Sequence, residues 1–144
     1  MYHQDTIHLL QECDAGTKMA VSSIDEVLEN ERDSNLKQLL TESKGHHEKL
    51  RDEIHEIFHA YGIKEKDPQP MAKGMSWLKT NMKMIVDNSD AAVADLITDG
   101  CNMGIKSLNM YLNQYTEADS TAKNICKKLI KIEESLCKEL KKYL

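Results

Sequence analysis

Apolar residues recur at every third or fourth position through four stretches of this chain, each long enough for six turns of helix or more. Two short polar turns separate the stretches pairwise, and one long link joins the pairs. That pattern leaves few folds open. A stripe repeating at 3.6 residues buries one face of a helix, and helices joined by short turns pack antiparallel.

The first stripe runs from about Thr6 to Glu29 through Ile7, Leu10, Val21, Ile24 and Leu28, with Asp5 as the expected N-cap. The second runs from about Asn35 to Tyr61 through Leu36, Leu39 or Leu40, Leu50, Ile54, Ile57 or Phe58, and Tyr61. Asp33 or Ser34 caps its start, and Gly62 is placed to end it in a left-handed conformation. After the link, Asn88-Ser89-Asp90 caps a helix reaching about Leu112, with Val93, Leu96, Met103, Ser107 or Leu108, and Tyr111 on its stripe. Thr116 and Asp119 make a start resembling a capping box for the last helix. Its stripe is Ala122, Cys126, Leu129, Leu136, Leu140 and Leu144.

The link from Ile63 to Ser89 decides topology. Pro70 suits the first turn of a shorter helix over 70–86, with Met71, Met75, Leu78, Met82 and Ile85 on one face. At 1.5 Å per residue, such a helix plus extended flanks can travel the ~40 Å of the second helix. The expected fold is therefore all-α. It is a ferritin-like four-helix bundle of two antiparallel hairpins, joined by a long crossover that carries a short fifth helix. Residues 1–144 form one domain, long enough to bury a core without staples.

Composition agrees and excludes some roles. Helix formers dominate, aromatics are scarce, and two prolines and six glycines leave few turns. The net charge of −5 lacks the basic excess of nucleic-acid binders. Four separated cysteines (Cys13, Cys101, Cys126, Cys137) read as reduced thiols of a cytoplasmic protein. No signal-peptide pattern and no membrane-length apolar run is present. The 70–86 stretch joins a Met-rich face to Trp77 and three lysines, so contact with a membrane or partner surface is one reading and packing on the bundle the other. Extra apolar positions at Ile105, Met110, Ile130 and Ile132 suggest a homodimer.

Each long stripe carries a polar intruder: Asp14, His47, Asp99 and Glu133. Counted from the turns, Asp14 falls level with His47, and Asp99 with Glu133, within about two residues or 3 Å. A buried carboxylate must be paired, hydrogen-bonded or metal-bound. Two readings follow. The four, with Thr17, Ser43 and Asn102 nearby, form a hydrogen-bonded layer that fixes register. Alternatively they hold a divalent metal (Fe, Mn or Zn) through oxygen and nitrogen ligands. A complete di-iron site is excluded, because it needs Glu-x-x-His on two helices and the last histidine is His59. His55 and His59, spaced i, i+4, could bind a metal at the surface, but no third ligand is indicated and they read as a solvated flank.

The segments Cys13-Asp14-Ala15-Gly16-Thr17-Lys18-Met19, Met71-Ala72-Lys73-Gly74-Met75-Ser76-Trp77 and Thr98-Asp99-Gly100-Cys101-Asn102-Met103-Gly104 occur in this order. They resemble bacterial ferritin-like domain proteins of unknown function across essentially the whole chain. The resemblance implies the bundle and its crossover helix, and no established catalytic activity. The expected role is a non-enzymatic structural, stress-related or interaction protein; the alternative is a metal-binding or redox bundle using the four intruders.

Overall fold

The computed structural model describes residues 3–30, 32–65 and 89–144. These form four long helices: α1 (Gln4–Val27), α2 (Ser34–Tyr61), α3 (Asp90–Gln114) and α4 (Ser120–Leu140), followed by a 3-10 turn at Lys141–Tyr143. No strand occurs among the described residues. The expected helix over 70–86 lies outside them.

The helix ends follow local chemistry. His3, not Asp5, caps α1; its Nδ1 accepts from the Asp5 N–H at 3.0 Å. Asp33 caps α2 by accepting from the N–H groups of Asn35 and Leu36. At the other end Gly62 closes α2 at φ +65°, where a Cβ would be strained. Ser89 caps α3. Asp119, rather than Thr116, caps α4, so that helix starts at Ser120.

Chain direction can be followed from contacts at the two ends. Beside the α1–α2 turn, the Asp33 N–H donates to Asp90 at the start of α3, and Arg32 lies 3.7 Å from the same carboxylate. At the opposite end, the N–H groups of Glu117 and Asp119 donate to Asp5 and Thr6 at the start of α1. So α3 runs antiparallel to α1 and α4 runs parallel to it. Besides the two hairpin pairs, α4 packs on both α1 and α2, and α3 packs on α1.

The core has two apolar clusters. One holds Leu9, Leu10, Leu50, Ile54, Phe58, Leu108, Ile125 and Leu129. The other holds Ile24, Val27, Leu36, Leu40, Val93, Ile97, Leu136 and Leu140. Each fully buried leucine or isoleucine contributes on the order of 1.5–3 kcal/mol. Between them in sequence on α1, α2 and α4 lie buried Asp14, Thr17, Ser43, His47 and Glu133. Ile130 belongs to the first cluster, and Ile105 and Ile132 pack against it, whereas Met110 stays exposed.

Candidate functional site

On α4 the line Leu129, Glu133, Leu136, Leu140 faces inward, and on α2 the line Leu40, Ser43, His47, Leu50 does the same. Both place one ionisable group in the core. His47 is 0 % exposed and Glu133 8 %. Their side chains meet at 3.1 Å, Nε2 to Oε1. The other ring nitrogen, Nδ1, lies 2.7 Å from the Ser43 carbonyl. A carbonyl only accepts, so Nδ1 carries a hydrogen. The Nε2–Oε1 bond then needs a second proton, on the ring or on the carboxyl. The pair is either imidazolium with carboxylate or imidazole with carboxylic acid. Both versions are neutral overall, which is the condition for burying them.

On its far side Glu133 meets α3. The Cys101 thiol hydrogen-bonds to it and is pushed far up, first by burial and then by the charge of the Glu133 carboxylate. Gly104 leaves the carboxyl open: a Cβ there would stand 3.8 Å from Cδ and 3.9 Å from Oε1. Around this carboxyl the α1–α3 interface opens into a cavity of about 350 Å³. Small residues make the space: Ala15, Gly16 and Ala20 from α1, and Gly100, Gly104 and Ser107 from α3. Leu129 and Glu133 of α4 also line it, with Met19 and Met103, both exposed, at its edge. At one end Glu12 bonds the Tyr111 hydroxyl, which burial foremost and the Glu12 charge push up to about 12.

A second polar group lies on the α1–α2 flank. Asp14, 1 % exposed, bonds His55 Nε2 through Oδ1 at 2.6 Å and Lys18 Nζ through Oδ2 at 3.0 Å. Just past α2, Glu65 places Oε1 3.2 Å from the same His55 nitrogen and Oε2 2.7 Å from Lys18. The hydrogen bond from Lys18 holds the Glu65 carboxyl below its ordinary range. Burial pulls Lys18 down, but its bonds to Glu65 and Asp14 outweigh this and raise it.

The four residues singled out from the sequence therefore do not share one layer. His47 and Glu133 meet. Asp14 is buried but engages His55, which sits eight residues, ~12 Å, further along α2 than His47. Helical side chains lean toward their own N-terminus. The Asp14 carboxylate is thus carried away from the turn and the His55 ring toward it, a displacement that counting Cα positions omits. Asp99 is exposed, which corrects its expected inward placement. Ala94, Ile97, Cys101 and Leu108 lie buried on α3, with Gly104 open toward Glu133. Asp99 stands ~200° around the helix from Cys101.

Sequence reasoning missed His55 and Glu65 as partners of Asp14, and Cys101 and Gly104 as neighbours of Glu133. On the α3 stripe Val93, Leu96 and Leu108 are buried as expected, whereas Met103 is exposed and Asp99 lies off the inner face; the run of small residues at Gly100, Cys101 and Gly104 was the available signal. No family model, curated protein or solved structure matches this chain.

Proposed function

We propose that this chain is a non-enzymatic, ferritin-like bundle whose work is binding. It takes a small apolar molecule with one hydrogen-bond-donating end into the cavity between α1 and α3. The observation carrying this reading is the 350 Å³ space with the buried carboxyl of Glu133 on its wall. Small-molecule sites occupy about 300–1,000 Å³, mostly apolar with a few placed polar groups. His47 balances the carboxyl from behind, so a neutral donor can approach it without leaving an uncompensated charge. The ferritin-like element of the reading is supported by the chain path: α2 ends at one end of the bundle and α3 begins at the other, so residues 66–88 join opposite ends.

Titration with N-phenyl-1-naphthylamine, an apolar fluorophore carrying one N–H, tests the reading. Saturable binding of one probe per chain is expected. Filling the cavity with Ala20→Phe should abolish binding while the helical circular dichroism is kept. Probe binding that does not saturate, or that survives both Ala20→Phe and Ser107→Leu, refutes it.

A further inference from the structure

Asp14, His55 and Glu65 each present one ligand atom within 4.8 Å of the other two. This group plays no part in the cavity or in the His47–Glu133 pair. Its three donors differ in kind and in origin: a buried carboxylate from α1, an imidazole from α2, and an exposed carboxylate just beyond α2. We infer that this flank is a site for a divalent transition-metal ion of the zinc type, held by Asp14 Oδ1, His55 Nε2 and Glu65 Oε1.

The geometry supports the inference at three points. First, His55 Nε2 lies 2.6 Å from the Asp14 oxygen and 3.2 Å from the Glu65 oxygen, so one ring hydrogen is shared between two carboxylates. Ligand atoms ~2.1 Å from a tetrahedral ion lie about 3.4 Å apart, so an ion can replace that hydrogen with a shift of under ~1 Å at each donor. Second, the ring is already aimed. It stacks on Phe58 at 5.9 Å between centroids and 22° between planes, and Asp14 is fixed in the core. Third, burial is graded: the side chains of Asp14, His55 and Glu65 are 2 %, 34 % and 51 % exposed. The inner ligand is dry and the outer face is open, which leaves room for the water that completes a three-ligand zinc centre.

Charge follows the same arrangement. Lys18 binds the other two carboxylate oxygens, Asp14 Oδ2 and Glu65 Oε2, and so leaves the oxygens facing His55 free of the ammonium. Arg51 also acts on the Glu65 charge. When the ion enters, Nε2 gives up its hydrogen, either to solvent or to Nδ1, and becomes the donor. Two carboxylates then balance the two charges of the ion, and Lys18 becomes a competing cation rather than a needed one. Imidazole and carboxylate together suit zinc, manganese and ferrous iron more than calcium. The location differs from a ferritin-like di-iron centre, which lies in the bundle core and needs two Glu-x-x-His helices.

Calorimetric titration of the chelator-treated full chain with zinc chloride tests this. One zinc per chain is expected. His55→Ala and Asp14→Asn should each weaken binding at least about tenfold, the lower end of what even outer-shell partners of a metal cost. Lys18→Gln should tighten binding about fivefold, the scale of a modest ion-pair competition. Thermal melting of each variant separates loss of the site from loss of the fold. An absence of stoichiometric zinc uptake, an unchanged affinity in folded His55→Ala, or weaker binding in Lys18→Gln overturns the inference. The readout is independent of naphthylamine binding, so either result can fail without the other.

Discussion

Removing Glu133 while keeping His47 is the sharpest perturbation this core offers. His47 is 0 % exposed, and its Nε2 has the Glu133 carboxyl as its partner at 3.1 Å. In Glu133→Leu that nitrogen stays in the core, next to leucine. Breaking a buried charged pair from one side costs about 3–5 kcal/mol, because the remaining group keeps its desolvation penalty. At roughly 3 °C per kcal/mol for a chain of this length, the melting temperature should fall by about 10–15 °C. The double variant His47→Leu/Glu133→Leu removes both members of the pair together, so its stability should equal or exceed the parent's, by as much as about 4 kcal/mol. Urea denaturation followed by helical circular dichroism on the parent, both single variants and the double variant gives the coupling directly. A coupling below about 1 kcal/mol, with the double variant losing the sum of the single losses, would refute the claim that the two residues share a proton in a dry core.

Three further outcomes follow from the geometry. Glu65, held down by the Lys18 hydrogen bond, contributes stability above its unfolded value near ~4.3 and loses it as pH falls through the lower folded value; Lys18, raised, contributes below ~10.4 and loses it as pH rises through its folded value. Both groups are substantially exposed, so the effect is at most ~1 kcal/mol, and melting curves of the parent and Glu65→Gln should converge in acid. In native protein at pH 8, half-buried Cys137 should react with a disulfide reagent before Cys13, Cys101 and Cys126, which are buried; simultaneous reaction of all four thiols contradicts the burial order. Gly62→Ala should cost about 1 kcal/mol, because its backbone sits at φ +65°, and Gly62→Asn should cost less; equal stability of all three proteins by thermal melting would show that the α2 terminus rearranges freely.

The helices were legible because six turns or more of regular spacing outweigh any single misplaced residue. α4 shows this best: Ala122, Cys126, Leu129, Glu133, Leu136 and Leu140 are all buried as the stripe requires, and only Leu144, past the last turn, is exposed. On α3 the same reading held at Val93, Leu96 and Leu108 but erred at Asp99 and Met103, because glycine, cysteine and alanine mark an inner face through their smallness and carry little weight in an apolar count. The cap of α1 was missed because a histidine ring nitrogen can accept an N–H as a carboxylate does. Pairing between helices was least legible. Asp14 and His47, expected level within about two residues, are not partners, because side-chain lean brings Asp14 to His55 instead.

The latches at the two ends of the bundle bear on the order of folding. Each hairpin gathers contacts between near neighbours in the chain, whereas the Asp33–Asp90 bond spans 57 residues and the Glu117–Asp5 and Asp119–Thr6 bonds span 112 and 113. Distant contacts form after the loop entropy between them has been met, so α1–α2 and α3–α4 should assemble as separate units before the ends close. Weakening a latch with Thr6→Ala or Asp90→Ala would then quicken unfolding and leave the refolding rate nearly unchanged.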